Sequence, residues 1–141
     1  MTTIASDGET IAYDSRETIG HIIHDDNCNK HLTNKRNHYF LACNSSDEPE
    51  IIAAFEGDGS LPEDTSDFEG IVYSKGTVYR VVGHEGTLIK EPQRSGNFLA
   101  VGTGAMFALA AMDLGCTATE AVRQAIKRDT CSGGRVRKFK L

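Results

Sequence analysis

Short runs of alternating apolar and polar residues dominate both ends of the chain, and helical spacing is confined to a few internal stretches. Residues 2–14 alternate around Asp7-Gly8, a strong hairpin signal. With Asp7 and Gly8 as the loop, Ser6 pairs with Glu9 and Thr2 with Tyr13, so Asp14 falls one step beyond, beside the start of the chain. Residues 38–43 have the composition of a buried strand. Ser45, Ser46 and Asp47, followed by Pro49 and the apolar run 51–55, predict a capped helix of about two to three turns. Residues 57–69 are acidic and rich in turn formers, and read as an exposed connection. Asp58, Ser60 and Glu69 fall at calcium-loop offsets. Glu63, however, replaces the central glycine and Pro62 interrupts the ligands, so no calcium loop is expected.

Further strands are predicted over 71–74, 77–82, 87–90 and 98–101, the last running into Gly102-Thr103-Gly104. A largely apolar helix over 105–114 stops at Gly115. Thr117 and Glu120 form a capping box opening a second helix, with Ala118, Ala121, Val122, Ala125 and Ile126 on one face. After a turn over 129–134, residues 135–141 return as a strand with Phe139 and Leu141 toward the core. Strands at both ends with helices between them fit an α+β layered architecture, here a single domain spanning 1–141.

Composition narrows the class. The chain has 141 residues, 39% hydrophobic and 25% charged, which is enough for a core and an ordinary polar surface. No apolar run approaches a membrane span, and the first residues lack a basic, apolar leader, so a cytoplasmic location without membrane association is expected. Cys28, Cys43, Cys116 and Cys131 are widely spaced and read as reduced packing or pocket residues. Net charge is -5, yet residues 127–141 carry six basic side chains against one acid. Without interleaved aromatics this is read as a solvated strand, and no nucleic-acid partner is expected. His21, His24, Asp25, Asp26 and Cys28 lack a second ligand pair at zinc spacing, and Gly102-Thr103-Gly104 lacks the third glycine of a dinucleotide turn. No metal and no cofactor is expected.

Thr2 carries the chemistry of interest. Removal of Met1 would leave a threonine whose hydroxyl sits beside its own α-amine. That amine has an ordinary pKa of about 7.7–8.0, suited to a general base at neutral pH. The hairpin places Asp14 nearby, and a cation held by that carboxylate would lower the hydroxyl's pKa. Lys30 is available for this, although spacing alone equally allows a surface lysine.

The run Tyr13-Asp14-Ser15-Arg16-Glu17-Thr18-Ile19-Gly20 resembles the Asp-Ser-Arg-Ala-Thr-x-Gly segment of proteasome β-subunits. Arg128-Asp129-Thr130-Cys131-Ser132-Gly133-Gly134 is similar to their Arg-Asp-x-x-Ser-Gly-Gly turn. Gly102-Thr103-Gly104 and Met112-Asp113-x-Gly115 also fit, and the motifs come in family order over roughly residues 2–46 and 98–141. The absence of a pro-segment before Thr2 resembles the HslV branch. The implied fold is a four-layer αββα sandwich of the N-terminal nucleophile (Ntn) hydrolase type with an abbreviated helical layer.

The resemblance also implies roles. Thr2 would be the nucleophile and its amine the base, with Asp14 orienting Lys30. Thr103, Asp129 and Ser132 would support the amine and its water. The backbone N–H of Ser45 would hold the oxyanion, at a turn where Ser45-Ser46 replaces the family's Gly-Gly. Thr18 would pair with the substrate backbone. Glu17, Cys28, Leu32, Cys43 and Asp47 would line the primary specificity pocket, whose two acids favour a basic side chain. The activity implied is that of a threonine peptidase acting on polypeptide, in a homo-oligomeric ring with an ATP-dependent unfoldase as partner. Two alternatives stay open from the residues: a non-catalytic scaffold retaining Met1, and a small-amide hydrolase of the same mechanism.

Overall fold

The computed structural model describes residues 2–141. The order is β1 (Thr3–Ser6), β2 (Thr10–Tyr13), β3 (Glu17–Ile19), β4 (Ile22–Asp25), β5 (His31–Asn34), β6 (Asn37–Ala42), a 3-10 turn (Ser45–Asp47) and α1 (Glu48–Glu56). There follow β7 (Phe68–Ser74), β8 (Thr77–His84), β9 (Thr87–Pro92), β10 (Leu99–Gly102), α2 (Ala105–Asp113), α3 (Ala118–Ile126) and β11 (Arg137–Lys140). The fold is α+β with antiparallel sheets. It divides into two compact units, one formed by residues 2–30 and 93–141, the other by 31–92.

In the first unit, a sheet of order β10-β1-β2-β11 packs against α2 and α3. The interface is built from small residues: Ala5 and Ala12 on the strands meet Ala108, Ala111, Ala118, Ala121, Val122 and Ala125 on the helices. Small side chains let the helices lie close to the sheet, with Met112 as the largest buried member. The capping box of α3 forms as expected, the Thr117 hydroxyl accepting from the Glu120 N–H and the Glu120 carboxylate accepting from the Thr117 N–H. A separate two-stranded sheet pairs β3 with β4, its register shifting between Glu17 and Thr18.

The first hairpin forms, with a corrected register. Ile4, not Thr2, pairs with Tyr13, and Ser6 pairs with Ile11, so every partner is displaced by two residues and Thr3 stands opposite Asp14. The loop is centred on Gly8-Glu9, one residue later than Asp7-Gly8 suggests. The cause is the Asp7 side chain, whose Oδ1 accepts from the Glu9 and Thr10 N–H groups at 2.9 and 2.8 Å. Its Oδ2 accepts from Ala118 N–H at 2.9 Å, so the same carboxylate closes the turn and holds the start of α3.

The second unit is a five-stranded antiparallel sheet of order β5-β6-β7-β8-β9 with α1 on one face. Tyr39, Leu41, Val72 and Val81 pack against Ile51, Ala54 and Phe55. Pro49 opens α1 as expected, but the Asp47 side chain makes no cap bond. β7, β8 and β9 run longer than the sequence indicates. β5 was not anticipated: its hairpin to β6 turns through Lys35 and Arg36, both at positive φ without a glycine to mark the turn. Among the described residues, no helix is long and apolar enough to cross a membrane.

Candidate active site

Asp14 follows the last residue of β2 and has no exposed surface. Its N–H still donates to the Thr3 carbonyl at 3.2 Å, which ties it to the start of β1. Five donors surround its carboxylate. Oδ1 accepts from the Thr2 hydroxyl, from Thr3 N–H at 3.1 Å and from Lys30 Nζ at 2.8 Å. Oδ2 accepts from Gly133 N–H at 3.0 Å and Arg16 N–H at 3.2 Å. A buried carboxylate is tolerable only when so fully compensated. Lys30 Nζ also donates to the Thr2 hydroxyl oxygen. Thr2, Asp14 and Lys30 are therefore in mutual contact, with Thr2 itself 2% exposed.

A second cluster lies on the Gly102-Thr103-Gly104 turn and the turn after α3. Asp129 Oδ2 accepts from Thr103 Oγ1 at 2.7 Å and Ser132 Oγ at 2.5 Å, and Oδ1 accepts from Cys131 N–H at 3.2 Å. Burial alone would raise the Asp129 pKa, but these hydrogen bonds outweigh it and hold the group below the ordinary carboxylate value. Thr103 Oγ1 also stands 3.5 Å from the Thr2 carbonyl, and Thr3 Oγ1 is 2.7 Å from Ser132 Oγ. Gly102, at φ 93°, can carry no side chain, because a Cβ there would run into the Thr2 carbonyl.

The structure thus brings together Thr2, Asp14 and Lys30, and separately Thr103, Asp129 and Ser132, all within the first unit. Sequence reasoning missed Thr3, which joins the two clusters, and the Gly133 N–H on Asp14. The doubled threonine after Met1 was the available signal for Thr3. Arg16 was read only as part of a motif. It forms a two-point ion pair with Asp26, through Nε at 2.7 Å and Nη2 at 3.1 Å, and reaches the Thr130 carbonyl at 3.3 Å, bracing the 130–134 turn.

Of the residues expected to meet substrate, Glu17 and Thr18 lie on β3, partly exposed, and Cys28 follows the 25–27 turn with its N–H on the Ser15 carbonyl at 2.9 Å. In the second unit Leu32 lies on β5, Cys43 follows β6, and Ser45 and Asp47 form the 3-10 turn. Burial, reinforced by Glu48 and Asp47, pushes the Cys43 thiol up to about 12, so it is neutral at physiological pH. Among the described residues, no group of three or more His, Cys, Asp or Glu side chains is arranged to hold a metal ion. Met1, whose removal the nucleophile reading requires, lies outside the described residues.

Eukaryotic HslV from Trypanosoma brucei superposes at a TM-score of 0.68 and 21% identity, over 99% of this chain and 100% of that one. BPH from Thiobacillus denitrificans gives 0.70 at 16% identity, over 99% and 96%. The same protein in complex with epoxomicin gives 0.69 at 16%, over 99% and 97%. The fold is that of the proteasome- and HslV-like Ntn hydrolases. No protein-family model matches the chain, and no curated protein sequence does.

Proposed function

We propose that this chain is a threonine peptidase whose nucleophile is Thr2 once Met1 has been removed. The observation that carries the reading is the contact of the Thr2 hydroxyl with both Asp14 and Lys30. In this reading the freed α-amine takes the hydroxyl proton as Oγ1 attacks the substrate carbonyl carbon. The Ser45 N–H holds the oxyanion, and Lys30, oriented by Asp14, stabilises negative charge on the attacking oxygen. The ammonium then protonates the leaving amine as the C–N bond breaks, leaving an ester on Thr2. Water attacks that ester, the amine accepts its proton, and cleavage of the ester bond restores Thr2. Thr103, Asp129 and Ser132 support the amine.

Thr18, on a short strand, pairs with the substrate backbone by strand addition. Glu17, Cys28, Leu32, Cys43 and Asp47 select the residue at the cleaved bond, and the two acids favour a basic one. The proposed organisation is a single domain over residues 1–141 of the four-layer αββα class. The near-complete coverage of this chain and of the similar chains supports that view. A cytoplasmic homo-oligomeric ring, served by an ATP-dependent unfoldase, is proposed on the resemblance alone.

The test is cleavage of casein and of Arg-, Leu- and Glu-ending amide reporters by wild type and Thr2→Ala. The reading requires activity that Thr2→Ala abolishes. Equal activity in the variant rejects it, and a preference for Leu rejects the pocket assignment. Cleavage of short amides with none of casein would favour a small-amide hydrolase.

A further inference from the structure

A carboxylate only accepts hydrogen bonds, and Ser132 Oγ lies 2.5 Å from Asp129 Oδ2. The single Ser132 proton is therefore committed to Asp129. Thr3 Oγ1 stands 2.7 Å from the same Ser132 oxygen, so Thr3 must be the donor between the two hydroxyls. Thr103 gives its own proton to Asp129 at 2.7 Å, ahead of the Thr2 carbonyl at 3.5 Å. The donor chain runs from Thr3 to Ser132 to Asp129, with Thr103 entering the same carboxylate. Thr3 has no exposed surface, and Gly104 comes so near that a Cβ there would strike the Thr3 hydroxyl. Meanwhile the Thr3 backbone N–H donates to Asp14 Oδ1 at 3.1 Å. One residue, next in sequence to Thr2, is bonded to both clusters.

We infer that Thr3 is a positioning residue: its hydroxyl sets the direction of the Ser132–Asp129 hydrogen-bond chain and so orients the groups that support the Thr2 amine. This rests on the nucleophile reading above. Without the Thr3 donor, the buried Ser132 oxygen loses a partner and Ser132 is free to turn its proton away from Asp129. Asp129 then bears less compensated negative charge, holds the ammonium more tightly, and keeps the amine protonated to higher pH. The attacking hydroxyl is untouched. The signature is a changed pH profile, distinct from a loss of fold.

Thr3→Val keeps the branched shape and removes only the hydroxyl, while Thr3→Ser keeps the hydroxyl and removes a buried methyl. Amide-cleavage rates and epoxyketone labelling rates are measured against pH for both variants and wild type, beside their thermal midpoints. Thr3→Val is expected to lower kcat about tenfold and to move the acid limb up by about half a pH unit. Thr3→Ser is expected to keep the wild-type rate and profile even where its midpoint falls. A Thr3→Val enzyme with wild-type kcat and profile overturns the inference, as do rates in both variants that simply follow their midpoints. A wild type that neither cleaves amides nor takes up the epoxyketone overturns the nucleophile reading and this inference with it.

Discussion

Lys30 Nζ lies 2.8 Å from Asp14 Oδ1, with the Asp14 side chain wholly buried and the Lys30 side chain 10% exposed. An ion pair this sheltered is costly to break from one side, since the remaining charge stays buried. Its cost is not shared equally between the partners, because Asp14 also serves Thr2, Thr3, Arg16 and Gly133.

Asp14→Asn is therefore expected to destabilise the protein by about 3–5 kcal/mol and to abolish amide cleavage. Chemical denaturation together with a reporter assay measures both. A variant of wild-type stability would show that the pair has little structural role.

Lys30→Met removes the cation but leaves Asp14 four donors, so its stability loss should be smaller than that of Asp14→Asn. Its rate should still fall at least about a hundredfold, as for loss of a charge aimed at the reacting oxygen. Comparison of the two variants by denaturation and single-turnover kinetics tests the ordering. A greater stability loss in Lys30→Met would reverse it.

Asp129 is held below its ordinary pKa in the folded protein. A depressed folded value contributes stability that is present above the unfolded pKa of about 3.9 and lost as pH falls through the folded one. The stability gap between wild type and Asp129→Asn should thus be steady near neutrality and shrink below about pH 4. Urea unfolding at a series of pH values measures it, and a gap unchanged down to pH 2 would contradict the assignment.

The Cys43 thiol, raised to about 12, should react with iodoacetamide at pH 8 about three orders of magnitude more slowly in the folded than in the unfolded chain, in line with its thiolate fraction. Peptide mapping after timed labelling gives the rates. Equal rates in the two states would show that Cys43 is not shielded as described.

Much of this was legible in the chain where local chemistry decides structure. The Thr117–Glu120 capping box and the alanine face of α3 both lie within a few residues of their causes. The Asp7-Gly8 signal was right about a hairpin and wrong about its register, because the Asp7 side chain competes for the turn's N–H groups. β3 and β4 escaped notice because residues such as Ile22 and Ile23 are exposed, which removes the alternation that marks a half-buried strand. The contact of Gly133 with Asp14 joins positions 119 apart and has no local signature. Thr2 and its neighbour Asp14 are legible from the start of the chain and its first hairpin, and Lys30 gains its role only from the resemblance, whereas the Thr3–Ser132 bond appears only where the turn after α3 meets the start of β1.

The most direct test of the central claim is intact-mass analysis with peptide mapping after incubation with epoxomicin. The account predicts a chain lacking Met1 and carrying one equivalent of the epoxyketone on Thr2. A chain that retains Met1, or one that loses it and remains unmodified at Thr2, would contradict it.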